Sequence, residues 1–223
     1  MKRRSFLLSL AAGLAICLAG VGESRAGSAS LASLLGNSIT INNLTFTFIS
    51  YTTSPVGALP SAADVTVNWP ISQGGGVGIQ FQAGWAALPG TVTDFLITYS
   101  VSAAAPIIKD VYMAGNPNVI GGTGSASVTE TLFDMNGNPI DQIAVFSNKP
   151  GVTQLVDSAV FAPTNYVLVT KDILMFGGTG VPTLSFLTQT FSVIPEPTSM
   201  ALLGIGLSGL FTFRRLRRRV VAA

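Results

Sequence analysis

The sequence predicts an all-β protein: an antiparallel β-sandwich of the jelly-roll or immunoglobulin-like kind, with an N-terminal signal peptide and a single C-terminal transmembrane helix. Three observations predict it. Between residues 39 and 193, about ten short β-rich runs are separated by Gly, Pro, Asn and Ser clusters, the pattern of antiparallel sandwiches. No stretch with helical periodicity and good caps competes with them. The long apolar stretches free of charge lie at the two ends of the 223-residue chain, next to its clusters of Lys and Arg.

Residues 1–26 read as the signal peptide. Lys2, Arg3 and Arg4 form a positive start, Phe6 to Ala19 is apolar, and Ser24-Arg25-Ala26 offers small residues for cleavage before Gly27. Arg3-Arg4-Ser5-Phe6-Leu7 fits a twin-arginine signal, and an ordinary secretory route fits as well. Ile16 is too large to precede a lipidated cysteine at Cys17.

Residues 27–192 form the predicted sandwich ectodomain, opening on an ordered lead-in over 27–38. Leu44–Phe48, Val65–Trp69 and Val77–Gln82 alternate apolar and polar residues, as do Phe95, Ile97, Tyr99 and Val101. Further strands are expected at 107–113, 126–133, 140–147, 154–161, 165–176 and 184–193. Asn136-Gly137 suggests a tight hairpin between two of these, because Gly tolerates positive φ. Gly-Gly-Thr-Gly occurs twice, at 121–124 and 177–180, and reads as inter-strand turns.

Charge and composition narrow the chemistry. Nine of the twelve Lys and Arg lie in the terminal segments. The middle keeps Lys109, Lys149 and Lys171 against eight carboxylates, a net charge of −5. An acidic middle argues against nucleic acid, whose phosphates need clustered cations. The chain has no His, and its one Cys lies in the signal peptide. Imidazole bases, thiol nucleophiles, disulfides and Cys/His zinc sites are thereby excluded from the mature domain. No catalytic, cofactor or metal residue is assigned, and the domain is expected not to be an enzyme.

Three groups keep alternative readings. The loop Asp134–Asp141 could supply calcium ligands, although Gly137 and Pro139 break the EF-hand pattern. Trp69 and Trp85 could stack on sugar rings or fill the core. Glu130, between two threonines, reads either as a carboxylate for glycan hydrolysis or as part of a solvated strand face.

The C-terminal segment 193–219 has three parts. Pro195, Glu196 and Pro197 interrupt any strand and favour extended backbone. Residues 198–213 follow without a charge, and as a helix would span about 24 Å, short of the roughly 30 Å hydrocarbon core. Arg214, Arg215, Arg217, Arg218 and Arg219 then hold the C-terminus in the cytoplasm. This arrangement resembles the PEP-CTERM family. The resemblance implies recognition of Pro195, Glu196 and Pro197 by an exosortase, a membrane-embedded cysteine protease. It also implies export, inner-membrane anchoring during processing, and final residence at the cell surface or in an extracellular matrix or biofilm. The ectodomain is then expected to be structural or adhesive, with exopolysaccharide as a candidate partner. The alternatives are a carbohydrate- or calcium-binding module and, behind it, a carboxylate-dependent glycan hydrolase.

Overall fold

Alternation along each strand sorts the side chains onto two faces, and burial of the apolar faces brings two sheets together. The computed structural model describes residues 26–104, 107–194 and 203–208. One seven-stranded sheet runs in the order β1 (Gly27–Ser30), β4 (Thr66–Gln73), β5 (Gly76–Ala86), β14 (Val181–Val193), β7 (Ile108–Gly115) and β12 (Val156–Thr164). Its seventh strand, β8 (Asn118–Ile120), also pairs with β14. The other runs β11 (Thr153–Gln154), β10 (Pro139–Lys149), β9 (Gly124–Phe133), β13 (Tyr166–Gly177), β6 (Val92–Ser102), β3 (Leu44–Ser54) and β2 (Ser38–Ile41). Neighbouring strands are antiparallel.

Aromatic side chains join the sheets across the core. Phe46 of β3 meets Phe191 of β14 with ring centroids 6.1 Å apart. Phe81 of β5 lies 6.4 Å from Phe48 and 5.8 Å from Tyr99 of β6. Edge-on and tilted contacts at these spacings suit the ring quadrupoles. Burial of Ile79, Phe95, Val128, Val169 and Leu187 extends the same core along the sandwich.

The observed strands follow the expected runs closely, with β8 added to them and three further differences. The lead-in is ordered as expected, and its shape is new: β1 pairs with β4, and a one-turn helix, α1 (Leu31–Leu34), follows it. Ser30 caps this turn by accepting from the Ser33 amide at 3.4 Å, while Leu31 and Leu34 are buried. A single turn is too short for a periodic signal in the sequence.

The hairpin at Asn136-Gly137 is also wider than a two-residue turn. Only Gly137 has positive φ, at 82°. The loop is organised by Asp134, whose Oδ1 accepts from the Asn136 and Asn138 amides, both at 2.8 Å.

The third difference concerns the two Gly-Gly-Thr-Gly corners, which clasp each other. The Thr123 amide donates to Thr179 Oγ1 at 2.9 Å, and the Thr179 amide donates to Thr123 Oγ1 at 3.2 Å. A Cβ at Gly122 would lie 2.1 Å from Thr179 Oγ1, and one at Gly178 would lie 2.5 Å from Thr123 Oγ1. Glycine is therefore required by close approach at both corners.

Candidate functional site

The sandwich core contains a polar cluster built by strand parity. On β9 the inward side chains include Ala126, Val128, Glu130 and Leu132; on β13 they include Val169, Lys171, Ile173 and Met175. Glu130 and Lys171 are direct register partners. Gln189 reaches them from β14 of the facing sheet, and all three are fully buried. Lys171 Nζ donates to Glu130 Oε2, to Gln189 Oε1 and, at 3.5 Å, to Met113 Sδ.

The cluster is incompletely paired. Glu130 Oε1, Gln189 Nε2 and the Tyr99 hydroxyl have no hydrogen-bond partner among the described residues. Such groups are costly in a dry interior. Burial raises the affinity of the Glu130 carboxyl for its proton, against the opposing charge of Lys171. Burial lowers that of the Lys171 amine, against the opposing charge of Glu130. The Tyr99 phenol is pushed well up by burial and by the charge of Glu130.

A second carboxylate arrangement lies on the outer face of the β6–β13 pair. Partial burial, then the hydrogen bond and charge of Asp94, push the Asp172 carboxyl up to about 6. A pKa raised on folding adds stability at low pH that is lost as pH rises through the folded value. Asp172→Asn is accordingly expected to stabilise the protein at pH 7 and to flatten its stability profile between about pH 4 and 6. Solvent screening at this exposed residue reduces the gain to the order of 1 kcal/mol. Urea melts at pH 4.5 and 7 measure it, and an unchanged pH slope would count against the pair.

The other residues singled out from sequence have structural surroundings. Trp85 is fully buried in the core. Trp69 is half-buried against the same core, and Gly27 lies so close over its ring that a Cβ there would be 2.3 Å from it. The Asp134 carboxylate is occupied by its own loop, including the Asn138 side-chain amide at 2.9 Å. Asp141 Oδ1 accepts from the Gln142 amide at 2.8 Å. Glu130 stands in the core rather than on a solvated face, because it shares the parity of Val128 and Leu132.

At its C-terminal end the sandwich closes firmly. Val193 pairs with Ile108, and the Ile194 amide donates to the Ile107 carbonyl at 2.9 Å. Beside this exit, a hollow of about 240 Å³ opens between Asn42, the glycines at 75 and 76, and residues 191–193. Pro195, Glu196 and Pro197, and the arginines at 214, 215 and 217–219, lie outside the described residues. Residues 203–208 form an exposed helical turn. Among the described residues, no helix is long and apolar enough to cross a membrane.

Residues 193–219 match the family model described as the PEP-CTERM protein-sorting motif. The chain carries a PEP-CTERM sorting motif. This motif implies an exported protein directed to an exosortase for membrane-associated processing, and it begins on the last residue of β14. No curated protein matches the sequence. Among solved structures, the chain is similar to the enzymatically active domain of bacteriophage CBA120 tailspike protein 4 at 16% identity and TM-score 0.30, over 70% of this chain and 20% of that one. It is similar to TmCBM61 in complex with beta-1,4-galactotriose at 11% identity and TM-score 0.31, covering 73% of this chain and 94% of that one. A family 12 xyloglucanase from Bacillus licheniformis is similar at 8% identity and TM-score 0.32, covering 76% and 100%.

Proposed function

We propose that the chain is a surface or extracellular-matrix protein whose sandwich has a structural or adhesive role and no catalytic one. In this reading the helix expected at 198–213 holds the exported protein in the inner membrane until an exosortase releases or transfers it. The observation that carries the reading is the junction at Val193. The sorting motif starts on a strand flanked by β5 and β7, without an intervening linker. A load on the processed C-terminus would therefore pass directly into the middle of a sheet. The closely covered position of Gly27 supports a mature chain that begins there, since its backbone is already paired with Trp69.

Changing Pro195, Glu196 and Pro197 together to alanine is expected to leave export intact and to prevent loss of the C-terminal segment. Mass spectrometry of the exported protein reads the outcome. A wild-type surface protein that still carried Arg214–Arg219 would overturn exosortase processing.

A further inference from the structure

We infer that Lys171 and Gln189 become joined by an intramolecular isopeptide bond, with Glu130 as the proton relay, so that the two sheets of the sandwich are bolted together covalently. The reacting groups are already assembled. Lys171 Nζ donates to Gln189 Oε1, the atom bonded to the carboxamide carbon Cδ, and donates to Glu130 Oε2 at the same time. All three side chains are fully buried, which keeps competing water from the acyl carbon. Held neighbours of this kind replace a bimolecular encounter by a reaction within one site.

The chemistry balances without an outside reagent. The lone pair of the neutral Lys171 amine attacks Gln189 Cδ, forming the C–N bond of a tetrahedral intermediate. Glu130, protonated at the start, gives its proton to Nε2 and takes one from Nζ in its place. The Cδ–Nε2 bond then breaks and ammonia leaves. No group is oxidised or reduced. Burial favours both starting forms, a neutral amine and a protonated carboxyl, so desolvation prepares the nucleophile and the acid together. Glu130 is less suited to be the acyl partner, because no other proton carrier would then touch Lys171 among the described residues.

The product also relieves the incomplete pairing of the cluster. The Gln189 Nε2 group, which lacks a partner, leaves as ammonia. An ionisable amine in an apolar core becomes a neutral amide, and its remaining N–H can still donate to Glu130. The bond would tie β13 of one sheet to β14 of the other, four residues before the chain exit at Val193.

Digestion of the denatured full-length chain with a protease that cuts after Asp and Glu tests the bond, because Asp172 separates Lys171 from Gln189. The expected result is one species containing the Lys171 and Gln189 peptides, lighter than their sum by one ammonia. Two separate, unmodified peptides would overturn the bond. A Lys171 peptide joined to the Glu130 peptide with loss of water would overturn Gln189 as the acyl partner. Glu130→Gln, checked for a native circular dichroism spectrum, is expected to leave the peptides separate. Complete linkage in that variant would overturn the relay role.

Discussion

Trp85→Ala is expected to destabilise the sandwich by about 3–5 kcal/mol, the range for removing a fully buried large aromatic. Trp85 has no exposed surface and stands in register with Leu184 of β14, beneath the opposing sheet. Truncation there removes apolar contact and leaves a cavity that close-packed neighbours can fill only in part. For a domain whose total stability is about 5–15 kcal/mol, that is a large share. Trp85→Phe is expected to cost far less, since it keeps most of the apolar surface and removes an indole N–H that has no partner among the described residues. Trp69→Ala is expected to fall between the two, because Trp69 is only half-buried. Urea denaturation with unchanged m-values measures the series. A loss below about 1 kcal/mol for Trp85→Ala would contradict its place in the core.

The sandwich was legible because alternation directly reports which side chains share a face. Phe95, Ile97, Tyr99 and Val101 all lie inward, as their spacing in the sequence implies. The sorting motif was legible for a different reason: it is a linear segment whose recognition needs no tertiary contact. The polar core cluster was missed although all three of its members follow the same parity. Lys171 falls between Val169 and Ile173, and Glu130 between Val128 and Leu132. The general rule that charged residues face water displaced that signal. Gln189 likewise falls between Leu187 and Phe191, inside the polar run Thr188-Gln189-Thr190. The structure buries all three, with Thr188 accepting from Gln80 at 2.9 Å and Thr190 donating to the Gln73 carbonyl at 2.8 Å. Such cross-strand partners depend on register between distant segments, which local pattern does not carry. The reciprocal threonines of the two glycine-rich corners were hidden for the same reason.

Glu130→Ala is expected to cost at least about 3–5 kcal/mol, because it leaves the Lys171 amine unlinked and buried without its carboxyl partner. The Met113 sulfur and Gln189 Oε1 would be the remaining acceptors for Lys171 Nζ, and a thioether is a weak one. The loss has a definite pH sign. In the unlinked chain burial lowers the Lys171 pKa, and the charge of Glu130 opposes that shift. Without Glu130 the native value falls further, while the unfolded value stays at about 10.4. A depressed native pKa gives stability that is present above the unfolded value and lost as pH falls through the native one. The variant should therefore recover relative to wild type as pH rises towards 10, and urea melts from pH 7 to 10 would show it. Replacing all three members with apolar residues, as Glu130→Leu with Lys171→Met and Gln189→Met, removes the stranded charge and should restore much of the loss. With the Lys171–Gln189 bond formed in the wild type, the triple variant should still remain less stable than wild type, since it forfeits a covalent closure between the sheets. A triple variant as stable as the wild type would mark the cluster as an ordinary buried ion pair.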